Sequence, residues 1–295
     1  MIEQTKKYAR MTNSIIHKSV NRMLIGKTYW KNVVIPSVLQ GIGIITFTKE
    51  KIKELQRIEN EVFRRILGAN DFTPISTLRG EVGSSKMRTR FIESKLVLIK
   101  GIMTGKNTLT KEILYKIREE KVSNWNKQVE QYLKEANMRY MEINTLTKQK
   151  IKQKMRKWDT EEWEKDLESK SSIKIYRTFK TEIKEGKDYD NRLSSKIIFR
   201  ARSNTLELND RNRFKNQNTM CELCEKEKED LIHFIIDCKK LEHLRDEDIM
   251  EKYNDENKEQ RVGKMLFENE DMEKTKKMIE KMWKYRKGKI ENKEK

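Results

Sequence analysis

The sequence predicts a mostly α-helical protein, and three observations carry that prediction. Only two of its 295 residues are proline, only eleven are glycine, and Lys, Glu, Ile and Leu recur at helical spacing over long stretches in which strand signals are few. Taken in order, the elements justify themselves locally. Thr48 is placed to cap a helix whose apolar positions Ile52, Leu55, Val62, Phe63, Ile66 and Leu67 mostly line one face, and Gly68 follows where a C-terminal cap belongs. Thr73 and Pro74 open a second, short helix. Ser84 or Ser85 starts a third, in which Met87, Phe91, Leu98 and Ile102 recur before Gly105 ends it.

Residues 1–105 therefore form one expected helical unit. Its longest apolar stretch, Val33 to Phe47, is broken by Pro36, Gln40, Gly41 and Gly43 and is shorter than the roughly 20 residues that span a membrane, so it is expected as buried core. Residues 106–190 read as long charged helices whose Trp125, Val129, Leu133, Trp158, Trp163 and Tyr176 pack between them. A turn over Gly186 to Asn191 and a helix through Ile197, Ile198, Phe199 and Leu206 lead into a cysteine-bearing segment, so that 191–246 forms a third region. Beyond it, 247–295 offers a polar stretch around Tyr253 to Arg261, an amphipathic helix through Met265, Met272, Ile279 and Trp283, and a last ten residues expected to fray.

All three cysteines, Cys221, Cys224 and Cys238, fall in one window with His233, one of three histidines. A CxxC bend lets two sulfurs reach one metal, and the His-to-Cys gap lies within the range of second ligand pairs, so zinc is the expected cofactor. The alternatives are a reduced, metal-free trio and, least fitting for an odd number of cysteines, a disulfide framework. An unbroken α-helix would turn about 500° over the five residues from His233 to Cys238 and leave them about 140° apart, so the helix is expected to end or loosen between them.

Charge points to a polyanionic partner. There are 66 Lys and Arg against 47 Asp and Glu, a formal charge of +19. Residues 1–100 hold 19 basic and 8 acidic groups, whereas 201–250 hold 9 and 12, so the cysteine window is not itself basic. Just before it, Arg192, Lys196, Arg200, Arg202, Arg211, Arg213 and Lys215 face only Glu207 and Asp210, which makes them the expected phosphate contacts. No GxxxxGK loop, HExxH or nucleophile elbow is present, and His17 and His243 read as surface or packing residues. No catalytic constellation is found. With no signal or targeting segment evident at Met1, an intracellular location, nuclear or cytoplasmic, is expected, with no membrane partner.

The stretch from Trp163 to Arg245, with "KSSIKIYRTFK", "FRARSNTLELNDRNR", "CELCEKEKEDLIHFIIDC" and "LEHLR", resembles the C-terminal part of non-LTR (LINE-type) retrotransposon reverse transcriptases, where a charged helical connector precedes an Arg-rich segment and a CCHC zinc knuckle. "YWKNVVIPSVLQGI", "LQRIENEVFRRILGA" and "STLRGEVGSSKMRTRF" look like that family's thumb and connector. Gln56, Arg64, Arg65, Arg79, Glu81 and Gly83 fit its pattern, while Gln40 stands where the family usually has tyrosine. The resemblance implies a thumb-like helical bundle (1–105), a long helical connector (106–190), a basic segment with a small zinc knuckle (191–246), and a C-terminal helix and tail. It implies nucleic acid, element RNA or target DNA, as partner, with Arg64 and Arg65 adding to the grip. The family's polymerase aspartates lie on a palm expected before Met1, and no adjacent Asp-Asp occurs here, so the chain is expected to be non-catalytic, a truncated element copy or one read from an internal start, with a palm in any longer product. A self-contained zinc-stapled protein-interaction module is the alternative.

Overall fold

A computed structural model describes residues 1–17, 21–120, 123–190, 192–211 and 218–293. Among them there is no strand, only an isolated antiparallel bridge between Met220 and Lys228. The chain opens with α1 (Ile2–His17) and α2 (Arg22–Tyr29), the latter started by Asn21, whose side chain accepts from the Leu24 amide at 3.0 Å. A π-helical turn at Trp30–Val34 runs straight into α3 (Ile35–Leu39). Gly41, with φ of 71°, then reverses the chain.

That reversal corrects one expectation. Val34, Ile35, Val38 and Ile42 are buried, but Ile44 and Ile45 are exposed, because the turn after α3 carries them out of the core, and Val33, in the π-helical turn before α3, is exposed as well. The turn is clasped by the buried Lys95, which donates to the Ile45 carbonyl at 2.8 Å and whose ammonium burial pushes down to about 8.

Helix α4 (Lys49–Leu67) follows the sequence reading closely. Thr48 accepts from the Lys51 amide, Gly68 closes the helix at φ 63°, and the expected apolar stripe is buried. Pro74 precedes α5 (Ile75–Val82). The next helix, α6 (Met87–Thr104), begins later than Ser84 or Ser85 and has no side-chain cap of its own. Its first amides are satisfied from elsewhere: Met87 N donates to Gln56 Oε1 at 2.8 Å and Lys86 N to Asp159 Oδ1 at 3.3 Å. Along it Met87, Phe91, Ile92, Leu96 and Ile99 are buried, while Leu98 and Ile102 are only half-buried.

The charged middle forms α7 (Thr108–Glu120), α8 (Asn124–Glu135), α9 (Tyr140–Thr145), α10 (Lys148–Glu168) and α11 (Lys174–Phe179). Its aromatics do pack between helices. Trp163 is fully buried and donates to the Ser76 carbonyl at 2.8 Å, and Trp125 donates to the Gly43 carbonyl at 2.7 Å. Fully burying one such side chain contributes about 1.5–3 kcal/mol. After α12 (Leu193–Arg202) come the cysteine window, α13 (Glu247–Lys252), α14 (Lys258–Phe267) and α15 (Met272–Lys293). Of the last ten residues, 286–293 continue α15 rather than fraying, with Arg286 buried, and 294–295 lie outside the described residues. Asn191, at the end of the expected turn, lies outside the described residues.

The cores cross the expected boundaries. Trp30, Phe63 and Leu67 share one core with Ile198 and Phe199 of α12, Phe234 and Cys238 of the cysteine window, and Met282 and Trp283 of α15. A second core joins Ile92, Leu96 and Ile99 of α6 to Leu114, Val129, Leu133, Ile143, Ile151 and Met155. Helix α6 thus belongs to both, changing core between Phe91 and Ile92 rather than ending a unit at 105. Several residues quoted for the family resemblance are structural knots. Arg79 donates to Asp159 at 2.8 Å with both side chains buried, tying α5 to α10, and Gln56 bonds Glu59, Asn60 and the start of α6. No helix among the described residues is long and apolar enough to cross a membrane.

Candidate metal centre and basic cleft

Cys221, Cys224, His233 and Cys238 come together so that one ligand atom from each lies within 4.8 Å of the others. Cys221 and Cys224 sit on a tight bend closed by the Cys221 amide on the Glu227 carbonyl and the Glu225 amide on the Cys221 carbonyl, both at 2.8 Å. Glu225, at φ 57°, takes the left-handed conformation the bend requires. His233 opens a π-helical turn, His233–Asp237, in which the Cys238 amide reaches back to the His233 carbonyl at 2.8 Å. This i→i+5 bond brings Cys238 back over His233, which is how the expected loosening of the helix is realised. Cys238 itself is extended and leads into a short 3₁₀ segment, Lys239–Leu244.

The spacing suits zinc. Zn–S bonds of about 2.3 Å and a Zn–N bond of about 2.0–2.1 Å give tetrahedral edges of about 3.8 Å between two sulfurs and about 3.5 Å between sulfur and nitrogen. Cys221 Sγ and Cys238 Sγ are 3.8 Å apart, and Cys224 Sγ and His233 Nε2 are 3.4 Å apart. The surroundings favour thiolates: backbone amides of Leu223 and Cys224 point at the Cys221 sulfur and that of Lys240 at the Cys238 sulfur. Left to themselves the four groups share protons. The hydrogen bond with Cys238, helped by burial, pushes the Cys221 thiol up to about 12, the same bond lowers Cys238, and bonding to Cys221 and Glu227 raises His233 to about 9. A divalent ion held by these four groups would displace these protons, and acid would weaken its hold.

The acids around the bend have defined tasks. Glu227 lies 3.0 Å from His233 Nδ1 and fixes the ring with Nε2 turned to the sulfurs. Asp230 accepts the His233 amide at 2.8 Å. Glu229 is buried, accepts from Arg286 Nε at 2.7 Å and from the Asn209 amide at 2.9 Å, and lies 3.7 Å from Cys221 Sγ. Replacing the histidine-orienting carboxylate, Glu227→Gln, is expected to weaken zinc affinity about 10–100-fold with no change in stoichiometry, read by competition with a coloured chelator.

Seven of the nine expected phosphate contacts lie among the described residues, and they separate into two groups. Arg64 and Arg65 of α4 and Lys196 and Arg200 of α12 line one open cleft of about 890 Å³. Arg22 of α2 joins them, and among the described residues Glu61 and Asp71 are the only acids in the lining. Nothing in the sequence marked Arg22, an isolated arginine at the head of α2. Burial, then the neighbouring Arg22 and Arg200 charges, lower the Lys196 ammonium, and Arg200 is steadied by donating Nε to the Gly68 carbonyl at 3.1 Å. Among the described residues no acceptor lies within hydrogen-bonding reach of the Arg64 Nε or Arg22 Nε, both of them buried atoms.

The others are engaged elsewhere. Arg202 is buried and donates to the Leu266 carbonyl, the Tyr189 hydroxyl and Asp188, with Glu81 at 3.8 Å, so its guanidinium cements α12 to α14 rather than facing solvent. Arg192 bridges Asp190 and Glu273 of α15, each at 2.5 Å. Arg211 lies over the Phe72 ring, 3.8 Å from its centroid. Arg213 and Lys215 lie outside the described residues. No protein-family model, curated protein or solved structure matches this chain.

Proposed function

We propose that the protein is a non-catalytic binder of nucleic-acid backbones, in which a zinc ion on Cys221, Cys224, His233 and Cys238 staples the fold and the cleft of Arg22, Arg64, Arg65, Lys196 and Arg200 grips phosphates. The observation that carries it is the convergence in one cleft of cations contributed by three helices far apart in sequence, against only two acids. Like charges gathered this way repel one another, and phosphates relieve that cost while releasing counterions. The resemblance to the C-terminal part of LINE-type reverse transcriptases supports the same reading and adds template RNA or target DNA as the partner.

The test is charge reversal in the cleft. Arg65→Glu with Lys196→Glu is expected to weaken binding to unrelated oligonucleotides by about 100-fold or more at moderate salt, since each lost contact also introduces repulsion. Arg192→Glu, on a guanidinium already paired with two acids, is expected to cost far less. Equal losses from the two variants, or unchanged affinity in the cleft variant with its thermal transition intact, would count against the cleft and favour a protein-interaction module.

A further inference from the structure

We propose that the occupant of the cleft is a single strand, one base of which stacks on Phe72 beside the cleft; this rests on the backbone-binding reading above. The loop after α4 lines two sites at once. Gly68, Ala69 and Asp71 border the basic cleft, while Phe72 and Pro74 border a separate recess of about 210 Å³. The end of α12 does the same, with Lys196 and Arg200 on the cleft and Ser203, Asn204 and Thr205 on the recess. Loop and helix end are stitched together, Arg200 donating to the Gly68 carbonyl at 3.1 Å and Asn70 to the Thr205 carbonyl at 2.9 Å, so the two sites are neighbours built on the same joined loop and helix end.

At the recess Phe72 remains 49% exposed although it is a large apolar ring, and the Arg211 guanidinium covers it at 3.8 Å. An arginine-backed aromatic beside a run of cations is what an unpaired base uses, because every base has a π-face and stacking does not require a particular sequence. A recess this small admits one planar ring system and not a duplex, whose bases are already stacked. The far wall comes from Asp230 and Leu231, next to the zinc ligand His233, and the Asp210 amide bonds the Glu229 carbonyl at 3.0 Å. The metal site therefore holds the recess in shape.

The experiment uses full-length, zinc-loaded protein and strands of about 12 nucleotides carrying 2-aminopurine, as RNA, as DNA and as the matching DNA duplex. Single strands of both sugars are expected to bind more tightly than the duplex and to change the 2-aminopurine emission on binding. Phe72→Ala is expected to lower single-strand affinity about 10-fold, abolish the emission change and leave the salt slope unaltered, since no phosphate contact is removed; Phe72→Trp restores both. The proposal is overturned if Phe72→Ala keeps affinity and emission change, or if the duplex binds as well as the single strand. In those cases the cleft still grips phosphate and that reading stands. If the wild-type protein binds none of the three probes at low salt, the cleft reading falls and the stacking site with it.

Discussion

Replacing any one of the three cysteine ligands by serine is expected to unfold the segment from Asn218 to Arg245 and to lower the thermal transition of the whole protein. On the zinc reading proposed above, the order of this segment would depend on four ligands meeting one ion. Structural zinc sites carry apparent binding free energies of about 10–16 kcal/mol at neutral pH, comparable to the stability of a whole domain. Because Phe234, Ile235 and Cys238 belong to the main core with α4, α12 and α15, the damage cannot stay local. Metal analysis should give one zinc per chain, and a strong chelator should reproduce the effect of Cys238→Ser on the melting curve. A protein without zinc, or one whose transition is indifferent to both treatments, would remove the staple from this account.

The second large effect is expected at Arg286. Arg286→Met should destabilise the protein by about 3–5 kcal/mol, because it strands the buried carboxylate of Glu229 without its counter-charge. Glu229 also holds the Asn209 amide and abuts Cys221, so zinc affinity should drop in the same variant. Lys284→Met on the same helix breaks only a solvent-facing pair with Glu280 and should change stability by less than about 1 kcal/mol. Comparable shifts in the two variants would show that α15 contributes through general charge and not through this anchor. Pairing Arg286→Met with Glu229→Leu should recover only part of the loss, since the Asn209 amide is then left without its acceptor.

What could be read in the sequence was what depends on neighbours along the chain. The caps Thr48 and Gly68, the stripe of α4 and the four metal ligands are local patterns, and each appears where its spacing places it. What failed to be legible depends on residues far away. The start of α6 was misplaced because Gln56 and Asp159, from two other helices, satisfy its first amides. Arg200 and Arg202 differ by two positions on one helix, and a charge count treats them alike. Yet only one lines the cleft, because the partners that draw Arg202 inward, Asp188, Tyr189 and the Leu266 carbonyl, are brought to it by the fold. Arg286 was hidden in a Lys- and Glu-rich tail by the same logic, since its partner Glu229 lies 57 residues away. Phe72 carried no sequence signal at all, its meaning coming from Arg211 above it and the recess beside it.

The most direct measurement is the slope of log K against log salt for a single-stranded oligonucleotide, compared between the wild-type protein and a variant carrying Arg64→Ala, Arg65→Ala, Lys196→Ala and Arg200→Ala. If the cleft is the grip, the variant stays folded and keeps its zinc, binds more weakly across unrelated sequences, and loses up to about 0.7 units of slope for each phosphate contact removed. A folded, zinc-loaded variant with wild-type affinity and wild-type slope would contradict the account.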